Sequence, residues 1–298
     1  MTDENARENV QLSLLLEAPP GLGHRSCFVA ALLASLVVGS IQPARSASLD
    51  EVRKSGSLHL CANPAAPPYS IRSDQNGLPG FQIELAEAVA HTMGLGLVVD
   101  WGRNPGNAAK CDASMDVIAG AKLYQPEGIT GPLMGALNPL RLTKPYAGSG
   151  VFLAVTAGSA VRRFEDLKAQ KIGVIVGSVA YEYLAKAGLN VSVFAFPDEI
   201  IAALEAGEVG AGAITAPVVG WHRHEHPATT VMIHDGYEPV PALCWNVAIG
   251  LWRADDALIE VLNGAIDSVT EQRLPDRIYA KYGVAYHPPF AGCVEGAR

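Results

Sequence analysis

The chain lacks the short motifs that mark several common classes of enzyme. It contains no GxSxG, HExxH, P-loop or GxGxxG sequence, so hydrolase, metalloprotease and nucleotide-binding interpretations have no residues to rest on. It also contains no CxxC pair, which removes the residues of a zinc ribbon, a haem attachment site or a thioredoxin-like redox centre. These absences favour a protein that acts without catalysis.

Charged side chains are scarce, and basic ones are in the minority. Charged residues make up 17% of the 298 residues, the formal net charge is -8, and there is no block rich in Lys and Arg. A protein that binds nucleic acid needs a basic surface to neutralise the phosphates. The composition therefore argues against a nucleic-acid partner.

Long apolar runs are also few, and the clearest of them lies near the N-terminus. Cys27–Ile41 is short for a membrane span but suits the apolar core of a secretory signal. Ala44 and Ser46 supply small residues for cleavage. The segment 1–46 is therefore predicted to be a signal peptide that directs export to the periplasm. The alternative is an uncleaved membrane anchor, because the polar leader at 1–23 is atypical of signals.

Four cysteines remain after such a cleavage, an even number for an oxidising compartment. Three pairings are possible. Cys61–Cys111 is favoured because Cys61 ends the first predicted strand and Cys111 precedes another. Cys244 and Cys293 are then left to pair with each other.

Apolar segments of strand length alternate with helical ones along the chain. The 30 Gly and 20 Pro are spread out, as many short connections require. This alternation predicts an α/β fold with a parallel-type sheet covered by helices. The predicted strands are 58–62, 96–101, 116–119, 150–156, 171–176, 191–196, 211–214, 230–233 and 246–252, and the predicted helices are 80–92, 179–187, 197–206, 217–222, 256–270 and 275–282.

The segment that begins at Leu58 has a distinctive order of elements. A short apolar run leads into a Pro-rich stretch with Tyr69, then a turn, then a helix that begins near Gly80. An aromatic ring just past a strand end lies where α/β sheets usually bind ligands. This block resembles the opening of the periplasmic type II solute-binding proteins of family 3.

Further segments match the same family in order. They are MDVIAGA (115–121), LTKPYAGSGVFLAV (142–155), FEDLKAQKIGVIVGSVAYEYL (164–184), WNVAIGLWRADDALIEVLNGAI (245–266) and IYAKYGV (278–284). The resemblance implies a type II periplasmic binding-protein fold, in which a two-strand hinge joins two α/β lobes with a ligand cleft between them. It also implies a monomer with lobe one at 47–150 and 249–290, lobe two at 151–248, and a tail at 291–298.

The resemblance further implies which residues face a small-molecule ligand in the cleft. Ser178 and Val179 open a helix, so their N–H groups and the Ser178 hydroxyl suit an anion or carboxylate. A helix cap without a ligand is the alternative for Ser178, and packing is the alternative for Tyr146 and Trp221. The complete expected set is Tyr69, Gly120, Ala121, Tyr146, Ser178, Val179, Thr215, Ala216 and Trp221.

Two departures from the amino-acid receptors of this family limit the choice of ligand. The Arg that they place before the Pro-Tyr crossing is replaced by Ala136 and Leu137. The Asp that takes the ligand's α-ammonium is missing from the lobe-two segment GAGAITAP. Both charges that define an α-amino-acid ligand are therefore absent.

The segments that stand in place of these charged residues resemble a narrower subgroup of the family. AITAPVVGW, LTKPYAGSGVFLAV, LHLCANP and the YGV ending look like the solute-binding-like proteins associated with quinoprotein alcohol dehydrogenases, the methanol-oxidation J type. The resemblance implies a non-enzymatic accessory that docks on the dehydrogenase or binds its pyrroloquinoline quinone. The alternative is a receptor that delivers a small polar, amino-acid-like solute to an inner-membrane ABC permease.

Three histidines, His222, His224 and His226, alternate with other residues in WHRHEHP. In an extended segment this spacing would place the imidazoles on one face, which suits a transition metal. A solvated loop after a short helix is favoured instead, and no metal site is predicted.

Overall fold

The computed structural model describes residues 48–72, 77–102, 111–119, 140–167 and 169–293. The helices in these ranges are α1 Leu49–Ser55, α2 Phe81–Thr92, α3 Val179–Lys186, α4 Pro197–Glu205, α5 Ala216–Glu225, α6 Asp256–Glu271 and α7 Leu274–Ala280. The strands are β1 Ser57–Ala62, β2 Ala65–Ala66, β3 Ser70–Ile71, β4 Gly96–Trp101, β5 Ala113–Ile118, β6 Leu140–Leu142, β7 Ala147–Gly150, β8 Phe152–Thr156, β9 Ile172–Ile175, β10 Val191–Phe194, β11 Ala211–Ile214, β12 Val231–Ile233 and β13 Cys244–Trp252.

The first lobe is built on a sheet of order β4-β1-β5-β13-β6, with β7 paired to β13. Helix α2 covers one face of this sheet because Phe81, Leu85 and Val89 recur every four residues and share one side of the helix. All three are buried in a core that also takes Leu58 and Leu60 from β1. The sheet thus holds β1 and β5 side by side, with the carboxyl ends of both at one edge.

The second lobe is built on a separate sheet of order β10-β9-β11-β8-β12. Helix α4 packs on it through the buried side chains of Ile200, Ile201 and Leu204. Gly173 and Gly212 lie beneath Ile200, where an added Cβ would approach it within 2.8 and 2.7 Å. Two separate sheets, each with its own core, confirm the predicted two-lobe α/β architecture.

Two extended crossings join the lobes. The chain leaves the first sheet after β7, passes Val151 and enters the second sheet as β8, and it returns as β13. The whole of β13 pairs within the first sheet. The predicted lobe bounds stay a prediction.

The expectation of a parallel-type sheet is correct only in part. Strands β4, β1 and β5 run parallel, as do β10, β9 and β11. The crossing strands β8 and β13 run antiparallel to their neighbours. Alternation of helices and strands predicts parallel pairing only for strands linked by a helical crossover, and the crossing strands enter each sheet from the other lobe.

Both predicted disulfides are present. Cys61 and Cys111 are bonded with their Cα atoms 5.5 Å apart, and Cys244 and Cys293 with theirs 5.3 Å apart. The first joins the end of β1 to the residue two before β5. The second joins the start of β13 to Cys293 in the stretch that follows α7, here called the C-terminal segment.

None of the helices in the described ranges is long and apolar enough to cross a membrane. The predicted signal peptide at 1–46 lies outside the described residues, as do 294–298 of the predicted tail.

Candidate functional site

The facing edges of the two lobes meet at Tyr69 and Thr215. Tyr69 lies in the loop after β1, with its ring centre 5.0 Å from that of Phe81. Its hydroxyl lies near the side chain of Thr215, which follows β11 in lobe two. Burial, together with the nearby Asp116 carboxylate, raises the pKa of Tyr69. The ring predicted to wall the cleft therefore makes a direct contact between the lobes.

Asp116 is the charged group at this meeting point, and the sequence analysis did not single it out. It lies on β5 with φ 55°, a left-handed conformation that Asp tolerates better than most residues. Its carboxylate accepts a hydrogen bond from the Tyr146 hydroxyl, and the side chain of Gln82 lies nearby. Burial raises the pKa of Asp116, and the polar groups of Tyr146 and Gln82 oppose the shift. The only signal in the sequence was an Asp inside the apolar run MDVIAGA.

Tyr146 positions Asp116. Its side chain is 3% exposed, and its hydroxyl donates to the Asp116 carboxylate while accepting the Asp116 N–H at 2.9 Å. Its carbonyl accepts a hydrogen bond from the Tyr286 hydroxyl at 2.8 Å. These contacts are those of a buried residue that supports its neighbours, which is the alternative given for Tyr146 in the sequence analysis. A direct contact between Tyr146 and a ligand stays a prediction.

Ser178 caps helix α3 in lobe two. Its hydroxyl accepts the N–H of Tyr181 at 3.1 Å, and Val179 beside it is 50% exposed. The cap satisfies one of the free N–H groups at the helix start. The predicted carboxylate site at Ser178 and Val179 is not tested by this geometry.

We expect Ser178→Ala to lower the free energy of unfolding by about 1 kcal/mol, because Ala cannot accept the Tyr181 N–H. Urea denaturation measures this change. Val179→Ala is the matched control on the same exposed turn and should change stability by less than about 0.5 kcal/mol. Equal losses from both changes would show that the cap contributes nothing.

Helix α5 carries the remaining lobe-two contacts, with Thr215 as its N-cap and Ala216 as its first residue. The ring of Trp221 lies 6.2 Å from that of Tyr282 in lobe one. The preceding residue, Gly220, lies against Gly283, where a Cβ added to Gly220 would come within 2.5 Å of the Gly283 carbonyl oxygen. The helix therefore touches lobe one through Gly220 and Trp221.

The histidine cluster is helical and not extended. His222 and His224 lie in α5, and His226 caps it. The rings of His222 and His226, one turn apart, lie 4.6 Å from each other, whereas His224 stacks on Trp221. The expected solvated loop is therefore wrong, since the helix continues to Glu225. No group of metal-binding side chains occurs among the described residues.

The C-terminal segment packs along both hinge strands. The His287 carbonyl accepts the N–H of Gly148 in β7, and Asn246 in β13 exchanges two hydrogen bonds with the backbone of Phe290. The His287 ring stacks on Phe152 in lobe two, with centres 5.0 Å apart. Burial lowers the pKa of His287. The segment thus links the hinge to both lobes.

Two cavities open at the meeting point and differ greatly in size. The crevice between the lobes holds about 20 Å³, room for about one water molecule. A pocket within lobe one holds about 650 Å³, in the range typical of small-molecule sites. Tyr69 and Asp116 line both cavities. Gly120 and Ala121, which were expected beside them, lie outside the described residues, as do Ala136 and Leu137.

The searches for similar proteins identify the fold. A structure of the L-cystine solute receptor of Neisseria gonorrhoeae, in its unliganded open conformation, superposes with a TM-score of 0.64 at 16% identity, over 81% of this chain and 98% of the receptor. The chain has the type II periplasmic binding-protein fold. Its two sheets, two-strand hinge and facing edges are those of the two-lobe solute-binding proteins.

Sequence comparisons support the resemblance of this type II binding-protein chain to family 3. The L-cystine-binding protein TcyJ of Escherichia coli (strain K12) is 26% identical over 172 residues, 57% of this chain. The match spans 61% of that relative's length. A cyclohexadienyl dehydratase of Pseudomonas aeruginosa is 35% identical over 69 residues, 23% of this chain and 25% of the dehydratase. No family model matches the chain, and the matches give no support to the quinoprotein-associated subgroup.

Proposed function

We propose that this chain is an exported, non-enzymatic receptor that encloses a small polar, amino-acid-like solute between its lobes and delivers it to an ABC permease. The observation that carries the proposal is the pair of sheets joined by a two-strand hinge, matched over 98% of a solved cystine receptor. The sequence similarity to an L-cystine-binding protein supports the same class of solute.

Closure of the lobes is the step that a solute controls. The contacts Tyr69–Thr215, Trp221–Tyr282 and Gly220–Gly283 hold the facing edges together around a crevice of about 20 Å³. A solute larger than water enters only when these contacts separate. A solute that then touches both lobes favours closure by the difference between its affinities for the closed and open forms.

A panel of solutes tests the proposal. The chain from Ala47 is mixed with amino acids including cystine, polyamines, small organic acids and pyrroloquinoline quinone, and thermal unfolding is followed. A solute at a hundredfold its dissociation constant adds about 2.7 kcal/mol, a shift of several degrees. A shift with an ordinary small solute is expected. A shift with the quinone alone, or with nothing, contradicts the receptor function.

We expect Gly220→Ala to weaken solute binding by about tenfold or more. The added Cβ would lie 2.5 Å from the Gly283 carbonyl oxygen in the closed lobes, and such overpacking costs about 1–3 kcal/mol. Opening the lobes relieves the clash, so each lobe still folds. Calorimetric titration with a solute that binds the original chain measures the affinity. Small-angle scattering should show a larger radius of gyration for Gly220→Ala, because its lobes stay open.

Gly264→Ala is the matched control for Gly220→Ala. Gly264 is also helical, but an added Cβ meets nothing within 4 Å. Gly264→Ala should leave the solute affinity and the radius of gyration unchanged. It should stabilise α6 by about 0.8–1.0 kcal/mol. Equal affinities of the two variants would show that the contact between Gly220 and Gly283 has no part in closure.

The accessory role beside a quinoprotein dehydrogenase remains a second proposal, favoured by the nearly filled crevice. Pyrroloquinoline quinone carries three carboxylates, whereas the described lining of the crevice and of the lobe-one pocket includes Asp116 and no Lys or Arg. The described lining therefore offers the quinone no cationic partner, and docking on the enzyme is the form of this proposal that we retain. Co-purification with a quinoprotein dehydrogenase tests it.

A further inference from the structure

The lobe-one pocket has the construction of a binding site. Its described lining is mostly apolar, with Met115, Val117, Leu140 and Trp252 among the walls. A few polar groups converge on it, from Asn63, Tyr69, Ser70, Gln82, Ser114 and Asp116. Apolar walls with a small number of placed polar groups are the usual pattern of a small-molecule pocket.

Ser114 lies on the wall of this pocket, and its hydroxyl oxygen is itself buried behind that wall. The hydroxyl has no hydrogen-bond partner among the described residues. A buried hydroxyl without a partner costs free energy, so such groups are normally satisfied by protein, water or ligand. Ser114 precedes Asp116 by two residues on β5, which places both at the same pocket.

Among the described residues, the Asp116 carboxylate has no cation beside it. Its described neighbours are the neutral side chains of Tyr69, Tyr146, Tyr279 and Gln82. No ion pair of Asp116 occurs within the described ranges, and the described lining includes no Lys or Arg. A carboxylate has about four acceptor positions, of which the Tyr146 hydroxyl uses one. A partly buried charge of this kind is stabilised when a cation is brought to it.

We infer that the lobe-one pocket binds the ammonium group of an organic amine, with Asp116 as the counter-ion. An ammonium group offers three donors, and the Asp116 carboxylate has acceptor positions free for it. The apolar walls then accommodate the carbon chain of the amine. This inference rests on the proposed receptor function and specifies the charge of its solute.

The test compares two probes of equal length, 1,4-diaminobutane and 1,4-butanediol, by calorimetric titration. We expect the diamine to bind and the diol to bind at least about 30-fold more weakly, the ratio that corresponds to about 2 kcal/mol for a buried charge pair. Asp116→Asn should weaken diamine binding by a similar factor. Asn keeps the acceptor for Tyr146 and tolerates the left-handed backbone, so the variant removes the charge and preserves the fold.

Asp235→Asn is the matched control, because it makes the same change in net charge at an exposed residue that lines a different cavity. It should bind the diamine as the original chain does. Equal binding of diol and diamine, full affinity in Asp116→Asn, or no diamine binding at all overturns the inference. If a neutral or acidic solute from the wider panel still binds, the proposed receptor function stands. If no solute binds, both proposals fail.

Discussion

Replacing Cys61 and Cys111 together by alanine should lower the free energy of unfolding by about 4 kcal/mol. The bond links residues 50 apart, and closing a loop of this length removes about that much conformational entropy from the unfolded chain. Cys61 lies within the parallel pairing of β1 with β5, opposite Ser114. Losing the bond therefore also loosens β5, which carries Asp116, and the end of β1, which leads into the loop of Tyr69.

Urea denaturation of the oxidised chain and of the double variant measures this loss. Cys244 and Cys293 provide a matched comparison, because they close a loop of nearly equal separation, 49 residues. Loop entropy alone predicts equal losses for the two double variants, within about 1 kcal/mol. A loss below about 1 kcal/mol for Cys61 and Cys111 would contradict the entropic argument at this bond.

The second bond also has a local effect that the first does not share. Cys293 ties the C-terminal segment to the hinge, beside the contacts of His287 and Phe290 with β7 and β13. In the Cys244 and Cys293 double variant, amide hydrogens of Gly148 and Phe290 should therefore exchange faster. The same amides should be unaffected by the first double variant while the protein remains folded.

Gly80→Ala should lower the free energy of unfolding by about 3 kcal/mol or more. Gly80 has φ 102°, a conformation that L-residues rarely adopt, and a Cβ there would lie 2.3 Å from the backbone oxygen of Tyr69. Backbone strain of this kind costs about 1–3 kcal/mol, and the overlap with a neighbouring backbone adds about 1–3 kcal/mol. Its N–H also donates to the buried Tyr282 hydroxyl at 2.9 Å. Any shift of Gly80 therefore disturbs the loop that holds Tyr69.

Gly94→Ala is the control for Gly80→Ala. Gly94 has φ 75°, but an added Cβ meets nothing within 4 Å. Gly94→Ala should lower the free energy of unfolding by about 1 kcal/mol, from backbone strain alone. Thermal unfolding of both variants gives the comparison, and losses of equal size would show that the contact with Tyr69 is not restrictive.

Much of the fold was predictable because local patterns determine it. The spacing of Phe81, Leu85 and Val89 predicts a helix, and the structure has α2 there. The apolar run at 211–214 predicts a strand, and β11 has the same bounds. Cys61 and Cys111 were paired because each lies beside a predicted strand, which left Cys244 with Cys293, and both bonds are present. Each of these inferences starts from local patterns.

The composition of the site depended on residues that are distant in sequence. Asp116 lies in β5, whose sequence is that of an ordinary apolar core strand. Its neighbours Tyr69, Gln82 and Tyr146 come from three other segments of the chain. The histidine spacing suggested an extended face, but α5 continues to Glu225 and carries His222 and His224. No local pattern encodes which side chains fill the crevice.

The sequence by itself therefore determined the class of fold, the positions of most helices and strands, and the choice of cysteine pairs. Only the tertiary structure decided that the crossing strands run antiparallel, that Ser178 is engaged as a helix cap, and that the crevice is nearly filled while lobe one has a large pocket. The physical reason is that periodicity and turn residues act over a few positions. Cavities and carboxylate environments arise from the packing of segments that meet only in the folded chain.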